Sequence, residues 1–253
     1  MLRCSKGLTQ GGVLSPLLYT LYTRGLEASV EGVKMVQFAD DVCIYRINNN
    51  VGTSLVEIEN AGKSIQQFLG ASGLDLAPEK CNLVVFSKSK KIRDRVWSIT
   101  LNDVQVQAQH SVKVLGIYFE ADHKWNRQIQ SIEEKCLKPM TIIRWLRSTW
   151  WGADPELLTR LYTALIRSRI VYGDISFYPV NKNQEIRLER IQTKAIKIAL
   201  GLRSSTPNNV TLGESKIPPL KSRIKFLGRN YLTKAFALEN NPIIRSLEKG
   251  NEL

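Results

Sequence analysis

The chain has 253 residues, enough for one large domain or two modest ones, and 43% of these residues are hydrophobic. This composition supports a buried core and excludes disorder throughout the chain. The formal net charge is +13, because 36 Lys and Arg residues face 23 Asp and Glu residues. Such an excess indicates a polyanionic partner. Nucleic acid is the first candidate, and a membrane is not expected because no apolar run approaches the roughly 18 residues that span a bilayer.

The positive charge is concentrated in the second half of the chain. Residues 138–253 carry 20 of the 36 basic residues but only 9 of the 23 acidic ones. We therefore expect a nearly neutral core domain followed by a basic one. The four cysteines form no C-x-x-C pair and only two histidines accompany them, so we expect neither a disulfide framework nor a zinc ribbon.

The first 120 residues contain short runs that are typical of an α+β domain. Residues 14–27 predict a helix with Ser15 as its N-cap, and the runs 34–38 and 42–47 predict a hairpin around two aspartates. The pattern then predicts, in order, a helix over 55–69, a strand over 83–87, a hairpin of 97–101 with 104–106, and a strand over 112–119. We expect these strands to form a sheet covered by helices on one face.

Beyond residue 120 the pattern predicts helices only. Asp154, Pro155 and Glu156 indicate the start of a helix that ends at Gly173, and another helix is expected over about 184–200. On that second helix four cations, spaced three, four and three residues apart, share one face: Arg187, Arg190, Lys194 and Lys197. Like charges at this spacing repel one another, which favours contact with a nucleic-acid backbone. A solvated basic face is the alternative.

The sequence Phe38-Ala39-Asp40-Asp41 places two adjacent carboxylates at a tight turn. The two charges repel each other, so a purely structural role gains little. Mg²⁺ prefers oxygen ligands and takes one or two carboxylates together with water and substrate phosphates. Two such ions, ~3.5–4 Å apart, catalyse phosphoryl transfer in many enzymes. An Asp-Asp pair is also typical of an ordinary polar turn, so other motifs must decide between the two interpretations.

A glycine-rich segment, residues 7–12, precedes the Asp pair and leads into the first predicted helix. Backbone amides of such a loop approach a nucleotide closely, although this loop is not a P-loop because no Gly-Lys-Ser/Thr follows it. The order of a Gln-Gly loop, a helix and a carboxylate hairpin resembles the reverse transcriptases of non-LTR (LINE-type, insect-like) retrotransposons. The likeness extends to the end of the chain.

The resemblance implies a role for each motif in RNA-directed DNA synthesis from dNTPs, an RNA template and a DNA primer. Asp40 would be the principal ligand of two Mg²⁺ ions and Asp41 the secondary one. Lys80, the third catalytic candidate, would approach the leaving phosphates, and Leu115 and Gly116 would belong to the primer grip. The contacts with nucleotide and template would be made by Gln10, Gly11, Phe38 and Ala39. The family's habit of priming at chromosomal DNA implies the nucleus, with a cytoplasmic ribonucleoprotein as the alternative.

The resemblance also implies an architecture and shows one departure from it. Residues 1–120 would form a partial reverse-transcriptase palm, 121–240 an all-helical basic thumb and connection, and 241–253 a frayed tail. The family has a third metal-binding aspartate upstream of the Gln-Gly loop, whereas the first acidic residue here is Glu27, on the predicted helix. By this comparison we expect the fingers and the first palm motif to lie outside this sequence. We therefore expect the isolated chain to be inactive, and a missing N-terminal half of the same polyprotein becomes a candidate partner.

Three interpretations of the function stay open at this stage. The first is a part of an RNA-directed DNA polymerase. The second is a non-catalytic remnant whose basic helices hold RNA or an RNA–DNA hybrid, and the third is a degraded reading frame with no selected role. Synthesis that depends on Asp40 would distinguish the first from the second. Intron-encoded maturases share the Ala-Asp-Asp turn but match the helical region less well.

Overall fold

The computed structural model describes residues 11–148, 152–238, 241 and 244. These residues divide into two compact units. The first unit comprises the chain up to residue 112 together with 121–123, and the second comprises 113–120 and the chain from 124 onward. Each unit is described by itself below. The predicted palm and thumb boundaries stay predictions, and most of the predicted tail, 241–253, lies outside the described residues.

The first unit begins with helix α1 (Ser15–Tyr22), which is followed by a 3₁₀ turn over Glu27–Ser29. Two strands come next, β1 (Lys34–Phe38) and β2 (Asp41–Tyr45), and then the long helix α2 (Val51–Ala71). A 3₁₀ turn over Pro78–Lys80 precedes three short elements: α3 (Lys90–Arg93), β3 (Ser98–Leu101) and β4 (Val104–Gln107).

The small core of the first unit lies between α2 and the β3–β4 hairpin. The buried members on the hairpin side are Leu83, Ile99, Leu101 and Val106, and Leu55 and Ile58 of α2 pack against them. The helix lies close to the hairpin because Gly62 has no side chain, and a Cβ there would meet the Leu101 methyl group. Asn50 caps the helix by accepting hydrogen bonds from the amides of Gly52 and Thr53.

Several predicted boundaries in the first unit are wrong. Ser15 is not the N-cap of α1, because Leu14 occupies that position without a side-chain cap, and the helix ends at Tyr22 instead of Glu27. No strand forms over 83–87; Leu83 makes only an isolated bridge to Ala108. The basic run over residues 88–95, which the sequence predicts as a loop between two strands, contains the short helix α3.

Strand β5 (Ser111–Val114), whose last two residues are the first of the second unit, pairs with β6 (Ile117–Glu120), and the regular elements described after them are helical. The single strand expected over 112–119 is therefore a hairpin. The helices that follow are α4 (Asn126–Leu146), α5 (Pro155–Tyr162), α6 (Ser168–Ile170), α7 (Asp174–Phe177), α8 (Lys182–Leu200), α9 (Asn208–Ser215) and α10 (Leu220–Phe236). Among the described residues the six strands form three separate two-stranded sheets, so the single sheet that was expected is not observed.

The main core of the second unit gathers around α4, α5 and α8. Its fully buried residues include Ile129, Ile143, Leu158, Tyr162 and Ala195. The helix predicted over 154–173 starts as expected, with the Asp154 side chain accepting from the amides of Glu156 and Leu157. It does not run through as a single α-helix: a π-helical turn over Thr163–Arg167 separates α5 from α6.

Helix α8 has strong end signals. Asn181 and Gln184 form a reciprocal capping box at its N-terminus, and Gly201 ends it with a positive φ of 75°. Its buried face carries Leu188, Ile191 and Ala195, as the sequence predicts. No helix in the described part of the chain is long and apolar enough to cross a membrane.

Candidate active-site turn and basic groove

The two candidate metal ligands lie at the end of the β1–β2 hairpin. Phe38 pairs with Asp41 in the last register position, which leaves Ala39 and Asp40 as the two turn residues. Ala39 has a φ of 50°, the left-handed conformation that a tight two-residue turn requires at this position. Both carboxylates are exposed. Both carboxylates are therefore accessible to a cation from solvent.

Gln37 holds this turn in place from the preceding strand. Its side-chain amide donates to the Ala39 carbonyl over 3.1 Å and to the Thr23 hydroxyl over 3.0 Å. Thr23 is only 5% exposed, and its own hydroxyl donates to the Tyr19 carbonyl over 3.1 Å. A chain of hydrogen bonds thus connects the carboxylate turn to the end of α1.

Tyr19 is a second connection between α1 and the turn. Burial raises the pKa of its phenol, and the negative charge of Asp40 raises that pKa further. The helix that follows the glycine-rich segment therefore lies within electrostatic reach of Asp40. Gly11 has a φ of 83°, whereas Gln10 lies outside the described residues.

The carboxylate turn is the candidate metal-binding feature among the described residues. Nowhere in them do three Asp, Glu, His or Cys side chains converge as a ready-made ligand cluster. The turn offers two carboxylates, and Mg²⁺ is often bound by one or two carboxylates with water and substrate phosphates completing the shell. The donor set at Asp40 and Asp41 fits that incomplete type of site.

Lys80 does not interact with the carboxylate turn among the described residues. It lies at the end of the 3₁₀ turn Pro78–Lys80 and its side chain is exposed. Within the described part of the chain, neither a hydrogen bond nor an ion pair joins Lys80 to Asp40 or Asp41. Its catalytic role stays a prediction that rests on the resemblance.

The candidate primer-grip residues form the tight turn of the β5–β6 hairpin. Leu115 and Gly116 have φ values of 47° and 86°. The Tyr172 hydroxyl donates to the Leu115 carbonyl over 2.8 Å, and a Cβ on Gly116 would lie 3.4 Å from the Tyr172 ring. Tyr172 therefore braces this turn. Sequence reasoning missed that contact, because 57 residues separate the two partners.

Three of the four predicted backbone-binding cations line a cavity of about 430 Å³ in the second unit. We call it the basic groove. Its walls come from the C-terminal part of α4 and from α8, and its cationic lining residues are Arg144, Arg147, Arg190, Lys194 and Lys197. Polar and apolar side chains complete it: Thr193, Ile198, Leu202, Ser204 and Asn208. Among the described residues, no Asp or Glu lines the groove.

The fourth predicted cation, Arg187, has a different environment. Its guanidinium forms a bidentate ion pair with Glu133 of α4, at 2.9 Å and 2.6 Å. Hydrogen bonding to that carboxylate raises the pKa of Arg187. Arg187 therefore connects α8 to α4 through an ion pair and does not line the groove. The spacing in the sequence predicted that it would act with the three groove residues.

Comparisons with known proteins identify the first half of the chain. The family model described as reverse transcriptase (RNA-dependent DNA polymerase) matches residues 2–119, which include the carboxylate turn. No solved structure shows a significant match to the chain.

Curated relatives extend the similarity into the helical region. The "RNA-directed DNA polymerase from mobile element jockey" of Drosophila funebris is 20% identical over 89% of this chain, and the match covers 25% of that protein. The "Probable RNA-directed DNA polymerase from transposon X-element" of Drosophila melanogaster is 22% identical over 77% of this chain and 22% of its own length. A third relative, the "Retrovirus-related Pol polyprotein from type-1 retrotransposable element R1 4" of Nasonia vitripennis, is 20% identical over 63% of this chain and 44% of its own length.

The chain spans about a quarter of the length of the first two relatives. These relatives come from insect mobile elements, as the sequence resemblance implied. Residues 2–119 match the reverse transcriptase family model, and most of the chain is similar in sequence to the RNA-directed DNA polymerases of insect mobile elements.

Proposed function

We propose that this chain provides the carboxylate turn and the thumb of an RNA-directed DNA polymerase that adds dNTPs to a DNA primer on an RNA template. The observation that carries the proposal is the Phe38–Asp41 turn at the end of a β-hairpin, inside the segment that the reverse transcriptase model matches. Asp40 and Asp41 are the metal ligands in this proposal. When bound, Mg²⁺ ions supply activation of the attacking oxygen and charge neutralisation at the leaving group.

Neighbouring residues of the chain restrain the position of these carboxylates. The turn geometry directs both into solvent, and the hydrogen bonds of Gln37 to Ala39 and Thr23 limit how far the turn moves. A charged group that is already in position requires less reorganisation free energy during the reaction than one that must first move into place. By resemblance, Gln10, Gly11, Phe38 and Ala39 contact nucleotide and template, and Lys80 the leaving phosphates. In the same way, Leu115 and Gly116 contact the primer.

Exposed apolar side chains support the proposal that a further palm segment covers the first unit. Helix α1 buries none of its residues. Its exposed residues, with those of the hairpin, include Leu17, Leu18, Leu21, Val36 and Phe38. Several large apolar side chains left exposed on neighbouring elements are typical of an interface. We propose that the covering segment carries the third metal-binding aspartate, so that the chain by itself extends a primer poorly or not at all. By family habit the complex acts in the nucleus.

The test is primer extension by the purified chain on an RNA template with Mg²⁺, beside the variant Asp40→Asn. Binding of Mn²⁺, measured by electron paramagnetic resonance with primer–template and dNTP present, is the second readout. Asp103→Asn is the matched control, because Asp103 also lies in an exposed two-residue hairpin turn of the same unit.

The proposal predicts Mn²⁺ binding that is lost in Asp40→Asn and retained in Asp103→Asn. Equal Mn²⁺ binding by all three proteins would overturn the metal site and favour the alternative, a non-catalytic remnant that binds RNA or an RNA–DNA hybrid. Extension by wild type that Asp40→Asn abolishes would support the polymerase and overturn the inactivity of the isolated chain.

A further inference from the structure

The basic groove contains three cations that the fold itself does not use. The side chains of Arg144, Arg190 and Lys194 are exposed. Within the described residues, none of the three forms an ion pair or donates a hydrogen bond. They converge on one cavity from two different helices. Like charges gathered in this way repel one another unless an anion lies between them.

The other two groove cations have a structural explanation. Arg147 donates to the Gly201 carbonyl over 3.4 Å, and Lys197 donates to the Ser204 carbonyl and the Asn208 side chain over 3.2 Å and 3.0 Å. Both follow or lie in the last turn of a helix, where the helix dipole favours positive charge. The helix dipole also favours Arg144, which lies in the last turn of α4, but it does not explain Arg190 and Lys194, which precede the last turn of α8.

The shape and chemistry of the groove indicate what it holds. A volume of about 430 Å³ is far larger than a single inorganic anion needs, and half-buried Ile198 and Leu202 give it an apolar floor. Thr193 and Asn208 add hydrogen-bonding groups. The backbone of a nucleic acid alternates charged phosphates with less polar sugars, and this alternation matches a lining that combines cations with apolar side chains.

We propose that the basic groove binds the sugar-phosphate backbone of a nucleic acid, with Arg144, Arg190 and Lys194 as its phosphate contacts. The proposal deepens the proposed function by assigning the polyanion a surface in the helical unit, outside the segment 2–119 that the family model matches. Compared with the sequence pattern, it omits Arg187 and Lys197, which interact within the fold, and adds Arg144, which the pattern does not include. Because the groove is tested by nucleic-acid binding, its test does not depend on metal binding or catalysis at the carboxylate turn.

The test measures binding of the full chain to a fluorescent RNA–DNA hybrid by anisotropy, over a series of salt concentrations. The variant is the double substitution Arg190→Gln with Lys194→Gln. Its matched control is Lys138→Gln with Arg229→Gln, which removes the same charge from exposed positions on α4 and α10. Circular dichroism and thermal melting check that each protein is folded.

We expect the groove variant to bind roughly tenfold more weakly, with the slope of log K against log salt reduced by about 0.9 for each lost phosphate contact. The control should keep nearly the wild-type slope. Arg144→Gln should reduce the slope by one contact, and Arg187→Gln should not change it. Equal losses in groove variant and control would overturn the proposal, because net charge alone would then explain binding. Groove-dependent binding to phosphatidylserine vesicles without binding to the hybrid would also overturn it.

Discussion

Replacing Tyr162 with Phe should destabilise the second unit strongly, because it removes one hydroxyl from a fully buried pair. The Tyr162 hydroxyl donates to the Gln192 Oε1 atom over 2.7 Å, and neither residue is exposed to solvent. Burial raises the pKa of Tyr162 far above its ordinary value, so the phenol keeps its proton as the donor. The variant leaves the Gln192 oxygen buried without this donor. The expected loss is about 1–3 kcal/mol in the free energy of unfolding.

A nearby tyrosine provides the matched control for this prediction. Tyr178 also donates to a side chain of α8, the Glu185 Oε1 atom at 2.9 Å. Its bond is more accessible, since the Glu185 side chain is 28% exposed and water can replace the lost donor. Tyr178→Phe should therefore cost about 1 kcal/mol or less. Urea unfolding monitored by circular dichroism compares the two variants at a common m-value. Equal losses for Tyr162→Phe and Tyr178→Phe would refute the argument from burial.

Three further predictions concern the turns and the buried carboxylate. Gln37→Leu should speed amide hydrogen exchange at the β1–β2 turn, because two restraining bonds are lost; unchanged exchange would contradict the bracing role. Tyr172→Phe should do the same at the Leu115 turn, while Tyr178→Phe leaves that exchange unaltered. Burial is the main cause that raises the pKa of Glu189 above its ordinary value of 4.5. The protonated carboxyl therefore contributes to the free energy of unfolding below pH 4.5, and this contribution is lost as the pH rises through the higher pKa of the folded state. Glu189→Gln should flatten this part of the pH–stability profile, and an unchanged slope would disprove it.

The local features of the fold were predictable from the sequence because short-range rules govern them. The β1–β2 hairpin and the Asn102-Asp103 turn follow from β-prone runs on either side of residues that tolerate a tight turn. The Asp154 cap and the start of its helix are confirmed for the same reason. The Leu115-Gly116 turn was missed, since Leu is uncommon in the left-handed conformation and the surrounding residues are β-prone throughout.

The features that sequence reasoning could not provide depend on distant partners. Arg187 shares its helix spacing with the groove cations, yet Glu133 on another helix neutralises it. Arg144 carries no signal in its local sequence and joins the groove only because α4 packs against α8. Spacing along one helix thus groups residues that share a face of α8, while the neighbouring helix α4 determines which of them line the groove.

The two candidate sites should differ in how much they depend on the rest of a polymerase. Asp40 and Asp41 are exposed, so water screens their attraction for a cation, and two carboxylates in that setting bind Mg²⁺ weakly without further ligands. The basic groove is complete within one unit, and its affinity comes from the release of counterions by the polyanion. We therefore expect nucleic-acid binding to persist in the isolated chain, whereas metal binding at the turn requires the phosphates of a bound nucleotide.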